Sequence, residues 1–265
     1  CFIAFVVSQI KQEKPLVDMS VFKDKNYTIG TLIQVIIMGV MMGSMMLLPQ
    51  FLQTLMGYSA FDSGLAIMPR GCGAMTGVIL YGILANKVDE RLSVAFGLSL
   101  IGIAGIFFGF LNLDIATINI AIPNYIYGFG MTLAMIPIIA LSVVTLKNSQ
   151  MTNATGIQNM LKNIGGAVGT SVATTLVSRF SQIHQAYMVD HLNPLNPIYM
   201  ERLTSTAGAL AQYTQYNVAQ YMAEYSLYGS MVKQASLWGF MEAFRICGIL
   251  AIVIIPLLLL LKKIK

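Results

Sequence analysis

Charged side chains are scarce in this sequence, since Lys, Arg, Asp and Glu together make up only 10% of its 265 residues. A soluble domain carries about 25% charged residues. Apolar residues make up 56%, so a water-soluble fold of this chain would leave large apolar patches exposed. The composition therefore excludes an ordinary soluble domain and predicts an all-α integral membrane protein.

Cysteine and histidine are also rare, and their positions exclude several kinds of site. Cys1, Cys72 and Cys247 lie far apart inside apolar segments, so we expect small buried side chains and neither disulfides nor zinc ligands. His184 and His191 lie in a predicted outer loop, with no Ser or Cys at a catalytic spacing. No GxxxxGK[ST] loop is present. The sequence thus indicates no cofactor, no metal site and no enzyme.

Long apolar runs are abundant instead. Six of them reach the roughly 20 residues that a membrane-spanning helix needs: residues 29–51, 62–85, 92–112, 118–146, 156–180 and 237–261. A further apolar run, residues 1–10, begins without Met, a basic n-region or a cleavage site. We interpret it as the tail of a preceding transmembrane helix, which makes this chain the C-terminal part of a longer protein.

Basic residues of the short connections fall on one side of the predicted membrane. Ten Lys and Arg residues lie in residues 11–28, 86–91, 147–155 and 262–265, and none lies in residues 52–61 or 113–117. By the positive-inside rule the basic side is cytoplasmic. We therefore predict a cytoplasmic loop at 11–28 and a cytoplasmic tail at 262–265. Basic residues spread over helix ends also exclude a nucleic-acid surface.

The remaining connection, residues 181–236, is long enough to be exported whatever its charge and is predicted to be periplasmic. Its HLNPLNP run at 191–197 breaks any helix, while the Pro-free residues 200–232 predict a helix or a helical hairpin. Its tyrosines suit the membrane boundary or a protein partner: Tyr213, Tyr216, Tyr221, Tyr225 and Tyr228. An alternative is that this segment simply caps the helix bundle.

Four charged residues lie inside predicted spans and away from their ends: Arg70, Lys162, Glu242 and Arg245. A charge at the bilayer centre costs at least about 2.5 kcal/mol on insertion scales, so each is a functional candidate. Lys162 lies close enough to the cytoplasmic end for its ammonium group to reach water. The residues on its helix face are nevertheless polar or small: Asn159, Asn163, Gly166, Gly169, Thr170 and Ala173. That pattern favours a face that lines a cavity or another helix.

The other charges and the prolines suggest further roles. Glu242 and Arg245 are three residues apart and can pair on one helix face, which suits a structural role or a role in transport equally well. Arg70 follows Pro69 in the outer third of its span, where it can bond freed carbonyls or attract an anionic group. Pro137 is predicted to break another span, and interrupted helices mark gates and binding sites in transporters.

Glycine recurs at four-residue spacing within the predicted spans, as at Gly39 and Gly43, and at Gly165 and Gly169. Small residues at this spacing let membrane helices approach closely. We therefore expect helix crossings at these positions.

Several segments resemble a known family. Residues 57–69 (GYSAFDSGLAIMP) and 156–169 (GIQNMLKNIGGAVG) resemble motifs of the fourteen-helix drug:proton antiporters of the major facilitator superfamily, with Lys162 where Arg is usual. Residues 15–31 and 193–197 resemble loops of the EmrB branch of that family. A degenerate copy of the superfamily's cytoplasmic-loop motif occupies residues 82–91, through Gly82, Asn86, Asp89 and Arg91. In it Asn86 replaces the usual Asp and Asp89 replaces a Gly.

The resemblance implies that the chain forms the C-terminal six-helix bundle of a fourteen-helix transporter, built from two inverted repeats of three helices. Residues 29–180 would hold the first five helices and residues 237–261 the last. The implied function is export of hydrophobic, often cationic, drugs from the bacterial inner membrane, driven by proton entry. A periplasmic adaptor of the EmrA type and an outer-membrane channel would complete the route.

Within this interpretation the intramembrane residues divide by role. Arg70 and the face around Lys162 are candidates for the substrate path, and Glu242 with Arg245 for proton coupling or an ion pair. Pro69 and Pro137 are candidates for gating. The alternative function is export of one metabolite, such as a siderophore or a lipid precursor. A membrane-embedded sensor or enzyme is less favoured, because no cluster of Asp, Glu or His lies near one interface.

Overall fold

The computed structural model describes residues 19–85 and 87–261. The predicted helix tail at 1–10, most of the predicted loop at 11–28, Asn86 and the predicted tail at 262–265 lie outside the described residues. Within the described ranges the chain folds into seven α-helices and two short 3₁₀ helices. The α-helices are α1 (Lys25–Thr54), α2 (Ala60–Leu84), α3 (Glu90–Phe108), α4 (Thr117–Val143), α5 (Asn148–Val189), α6 (Pro197–Leu210) and α7 (Tyr216–Val253).

Five helical segments of the described chain are long and apolar enough to cross a membrane. They are α1 to α4 and the run Tyr216–Leu260, which joins α7 to the 3₁₀ helix Ile255–Leu260. The predicted span 156–180 lies inside α5, a longer but more polar helix that is not among the five. An all-helical membrane protein is thus confirmed, while the six-helix bundle stays a prediction.

The predicted glycine pairs lie where helices cross. A Cβ built on Gly169 of α5 would overlap the backbone of Gly39 of α1, and Gly43 lies beside Gly169 and Ala173. Because the partner positions advance together along both helices, α1 and α5 run parallel. A second tight crossing joins α2 to α4, where a Cβ on Gly128 would overlap the Arg70 carbonyl. These two crossings bring the backbones of four helices into direct contact.

Aromatic side chains fill the core where α7 packs against α1 and α3. Phe108 of α3 and Phe244 of α7 lie with their ring centroids 5.2 Å apart. Phe51 of α1 and Phe240 of α7 make an edge contact at 5.7 Å. Phe51, Phe108 and Phe244 are fully buried. Their rings fill the space between α7 and the helices α1 and α3.

The long loop predicted at 181–236 is mostly helical. α5 continues to Val189, α6 occupies Pro197–Leu210, and α7 already begins at Tyr216. Asn196 caps α6 by accepting hydrogen bonds from two backbone amides of its first turn, and Pro197 follows at the first helical position. α6 and α7 pack through a small core of Leu203, Ala207 and Ala223. Apolar length locates only the membrane part of a helix, and these helices continue beyond it.

The prolines predicted to interrupt helices do not do so. Pro69 lies inside α2 and Pro137 inside α4, and both helices are continuous. One proline removes one backbone hydrogen bond, which the neighbouring turns of a packed helix tolerate. Pro256 differs, because it lies in the 3₁₀ helix where α7 ends.

Candidate functional site

Arg70 projects from α2 into the contact with α4. Its Nε donates a 3.1 Å hydrogen bond to Asn124 Oδ1, and its guanidinium carbon lies 4.4 Å from the centre of the Tyr127 ring. Tyr127 is buried, and its hydroxyl donates to the Val40 carbonyl of α1. Nη2 of Arg70 is buried and has no hydrogen-bond partner within the described chain. Arg70 thus ties α2 to α4 and α1 while one of its donors stays unsatisfied.

The structure locates Arg70 within its helix. Ser59 caps α2 and starts the helix at Ala60, so Arg70 is the eleventh of its 25 residues. At 1.5 Å per residue it lies about 15 Å from the start of the helix. Val40, the α1 residue that Tyr127 bonds, is likewise in the middle of α1. Arg70 therefore lies near the middle of α2, and its predicted depth in the membrane stays a prediction.

The predicted polar face of α5 is open, and methionines of α1 flank it. Asn159 and Asn163 are exposed, Lys162 is partly exposed, and none of the three has a hydrogen bond or ion pair with the described part of the protein. Gly166 is buried beneath the side chains of Met38 and Met42. The next exposed methionines of α1 are Met45 and Met46, at 58% and 51%. Thr170 bonds only the Gly166 carbonyl of its own helix.

Sequence reasoning missed the opposite face of α5. Gln158, which is 1% exposed, donates to Ser142 Oγ of α4 at 2.7 Å and to Thr31 Oγ1 of α1 at 3.3 Å. Gln34 of α1 donates to the same Ser142 oxygen at 3.0 Å. Buried amides and hydroxyls therefore join α1, α4 and α5. The signal was available, because Gln34 is a polar residue inside an otherwise apolar span.

Glu242 and His184 face each other between α7 and α5. The Glu242 carboxylate lies 2.9 Å from His184 Nε2, and both side chains are about three-quarters buried. The His184 ring also lies against Trp238 of α7, with centroids 5.6 Å apart. This is the one ion pair within residues 19–85 and 87–261. His184, predicted to lie in an outer loop, is instead a helical residue, because α5 extends past the predicted end of its span.

Arg245 does not pair with Glu242. Its Nη2 donates to the Gly109 carbonyl at the end of α3, and its guanidinium lies over the Phe110 ring at 5.1 Å. The predicted contact between the two charges on α7 is therefore absent. Each side chain meets the helix packed on its own side of α7, which is α5 for Glu242 and α3 for Arg245.

The cytoplasmic-loop motif lies between α2 and α3. Gly82 is an exposed residue near the end of α2, and Asp89 caps α3 by accepting a hydrogen bond from the Arg91 amide. Asn86 of this motif lies outside the described residues. In the part of the chain that the structure describes, no group of His, Cys, Asp and Glu could hold a metal ion. Of the cysteines, Cys247 is buried, whereas Cys72 is exposed.

Helices of membrane-spanning length that cross closely at glycine define the chain as a polytopic membrane protein. The profile of the Major Facilitator Superfamily matches residues 5–170. Because the match covers more than half of the chain, the chain belongs to this superfamily, and it is a transporter rather than an enzyme.

Comparison with curated proteins identifies its relatives. The chain is 30% identical to fatty acid resistance protein FarB of Neisseria gonorrhoeae, over 99% of this chain and 50% of that protein. It is 29% identical to multidrug export protein EmrB of Escherichia coli, over 74% of this chain and 38% of that protein. Probable multidrug resistance protein EmrY of the same species is similar at 29%, over 74% of this chain and 39% of that protein. The predicted EmrB-like character is confirmed, and the chain spans half or less of the length of these relatives.

Proposed function

We propose that the chain is the C-terminal half of a proton-driven exporter of hydrophobic and amphipathic compounds. The observation that carries this proposal is the open face where amides and Lys162 of α5 lie beside the methionines of α1. A methionine surface is flexible and polarizable, so it adapts to ligands of different shapes. The polar residues beside it supply hydrogen bonds in an otherwise apolar environment. Relatives named for multidrug export support the same function.

The bundle within this proposal has six membrane helices, with residues 156–180 of α5 as the fifth. The two glycine crossings support two inverted repeats of three helices. The first repeat consists of α1, α2 and α3, and the second consists of α4, α5 and α7. In these repeats α1 corresponds to α4, and α2 corresponds to α5. The contact between α1 and α5 therefore corresponds to the contact between α4 and α2, and both contacts are made through glycine. The substrate path runs along the face of α5 described by Asn159, Lys162, Asn163, Gly166 and Thr170.

Proton coupling within this half is assigned to Glu242, with His184 as its partner. Glu242 is the one acid in the membrane part of α7, and its carboxylate is shared with a group that also binds protons. Arg245 lies one turn away and bonds a carbonyl of α3 instead. A proton arriving at this pair would weaken one contact between α5 and α7, which links protonation to the packing of these helices.

Orientation and partners follow from the basic residues and the outer helices. The basic connections face the cytoplasm of the bacterial inner membrane. The hairpin formed by α6 and the first part of α7 lies in the periplasm. This hairpin leaves Tyr221 and Tyr225 exposed on one face at 74% and 81%. A cleft of about 570 Å³ separates the hairpin from α5, and Tyr199, Leu227 and Lys233 are among its lining residues. Both features suit contact with a periplasmic adaptor of the EmrA type that leads to an outer-membrane channel.

The test is dye export by the full-length transporter in a Gram-negative strain that lacks its own efflux pumps. We expect cells to extrude an ethidium-like dye and to stop when a protonophore collapses the proton gradient. Protonophore-resistant extrusion would contradict proton coupling. If no dye is extruded although the protein is inserted, co-expression of the adaptor restores export if the proposal is correct.

The second candidate is export of a single class of amphipathic metabolite. The observation that favours it is the relative named for fatty acid resistance, because that match extends over 99% of this chain. A competition assay separates the two functions. A broad exporter is inhibited by chemically unrelated drugs, whereas a metabolite exporter is inhibited only by compounds of its own class.

A further inference from the structure

Arg70 lies near the middle of α2 without a compensating acid. No carboxylate of the described chain lies within ion-pairing distance of Arg70. The one ion pair of the described residues joins His184 to Glu242. The three helices that meet at Arg70 offer little alternative. α4 contains no charged residue, α1 contains only Lys25 at its start, and α2 contains only Asp62 besides Arg70 itself. An isolated cation inside a membrane helix is costly and therefore marks a functional position.

The protein pairs the hydrogen-bond donors and the charge of Arg70 only in part. Asn124 Oδ1 accepts from Nε, and the Tyr127 ring lies below the guanidinium. Both contacts fix the orientation of the forked guanidinium group, and neither supplies a negative charge. Buried Nη2 keeps an unused donor. A buried donor is paired in nearly all native structures, so an unpaired one on a guanidinium indicates a place for an acceptor.

Asp62 does not fill this place. It lies eight residues before Arg70, which separates the two by about 12 Å along the helix axis. Its carboxylate accepts a hydrogen bond from the Ser59 hydroxyl at 2.7 Å, in the cap of α2. The acid nearest along α2 is therefore engaged at the helix start.

An opening lies on the outer side of Arg70. A cavity of about 400 Å³ lies where α2 and α4 begin, and its walls include Tyr58, Asp62, Leu65, Ala66 and Thr117. Ala66 is one turn before Arg70 on the same face of α2. Of the lining residues, Ala66 is nearest to Arg70 along α2, about 6 Å before it along the helix axis, and Arg70 itself does not line the cavity.

We propose that Arg70 binds the anionic headgroup of an amphipathic substrate. This inference rests on the proposed export function and names its substrate class. A carboxylate matches the fork of a guanidinium and supplies both the missing charge and the missing acceptor. The alkyl chain would lie against the apolar walls of α2 and α4. The motif resemblance predicts cationic drugs, whereas the charge of this centre selects for anionic amphiphiles.

The test compares three dodecyl compounds that differ only in charge: dodecanoate, dodecyltrimethylammonium and dodecanol. Transport is measured with the full-length transporter in everted membrane vesicles. We expect Arg70→Gln to raise the half-saturating concentration of dodecanoate by about tenfold or more, the effect of losing a charged hydrogen bond. Transport of the other two compounds should change little. Arg70→Lys, which keeps the charge without the fork, should lie between the wild type and Arg70→Gln.

Arg179→Gln is the matched control, since it also removes a guanidinium, from an exposed position of α5. It should not alter discrimination among the three compounds. Equal loss of all three in Arg70→Gln, or unchanged dodecanoate transport, would overturn the inference. If Arg70→Gln does not reach the membrane, the same comparison is made with Arg70→Lys. Wild-type transport of the cation and the alcohol without dodecanoate would overturn this inference alone, whereas transport of none would contradict the export function itself.

Discussion

Single charged residues in this bundle meet their partners on neighbouring helices. Glu242 faces His184 of α5, Arg245 bonds a carbonyl of α3, and Arg70 bonds Asn124 of α4. Each of these contacts removes part of the cost of a charge in an apolar environment. Lys162 differs, because no hydrogen bond or ion pair engages it within the described chain. We therefore expect the four charges to respond differently to substitution.

Removal of the Glu242 charge tests its part in proton coupling. We expect Glu242→Gln to abolish export driven by a pH gradient, while exchange of labelled for unlabelled substrate, which needs no net proton movement, continues. The measurement is both assays on proteoliposomes of the full-length transporter. Glu224→Gln, in the outer part of the same helix, is the control and should leave both activities intact. Loss of both activities in Glu242→Gln would reduce the acid to a packing role.

The same contact has a structural consequence that is measured separately. His184→Ala leaves Glu242 without its partner and should lower the free energy of unfolding by about 1 kcal/mol, since both side chains are partly exposed. The thermal transition of the purified protein in detergent reports this change. An unchanged transition would mean that the contact between His184 and Glu242 contributes nothing to stability.

Lys162 is tested by its effect on substrate range. Lys162→Ala removes a cation from the open face without breaking a described contact, so we expect normal insertion and an altered drug profile. Growth inhibition by a panel of drugs in the efflux-deficient strain measures this. Arg179→Ala removes an exposed cation farther along α5 and should leave the profile unchanged. Unchanged efflux of every compound by Lys162→Ala would make it a residue that merely extends its ammonium to water.

Pairs of helices are held together by backbone contact at glycine more than by large side chains. In a membrane, apolar side chains gain little by leaving lipid, so close packing and interhelical hydrogen bonds stabilise the contacts. α1 and α5 have both, because the glycine crossing lies beside the hydrogen bonds among Gln158, Ser142 and Thr31. This pair is therefore expected to move as one unit.

The crossing of α1 and α5 has little room for a side chain. In Gly169→Ala the new methyl group would overlap the backbone of Gly39, so the helices must separate. We expect a loss of about 1–3 kcal/mol, typical of overpacking, measured as a lower thermal transition of the purified transporter. Gly156→Ala on the same helix is the control, since a Cβ there meets no atom within 4 Å. Equal transitions for both variants would contradict the crossing.

On the scale of the whole molecule, helices continue well beyond the apolar core of the membrane. α5 has 42 residues and α7 has 38, compared with the roughly 20 that a span needs. Their outer parts, with α6, form the helical hairpin beyond the bundle. This gives the proposed periplasmic surface a rigid support rather than a loose loop.

Orientation is tested by chemical labelling of cysteines. On a background without native cysteine, Leu195→Cys lies at the hairpin turn, where Leu195 is 94% exposed. We expect a membrane-impermeant maleimide to label it in spheroplasts. Lys147→Cys, before α5, should react only after the cells are permeabilised. The opposite labelling pattern would reverse the proposed topology.

Much of the architecture follows from local sequence. Apolar length located four of the membrane helices, α1 to α4, close to their true bounds, because burial in lipid depends on the hydropathy of consecutive residues. Glycine spacing located the crossing of Gly39 with Gly169 for a similar reason, since residues four apart share a helix face. The motifs at 57–69 and 156–169 indicated the superfamily.

Only the tertiary structure decided which side chains meet. The sequence placed Glu242 next to Arg245, but the rotation of α7 directs these residues towards different helices. His184 was assigned to a loop, because polarity marks the membrane boundary and not the end of a helix. The unsatisfied donor of Arg70 depends on how α2 packs against α4. Contacts between helices are set by crossing angle and rotation, which are properties of the packed bundle and not of any single segment.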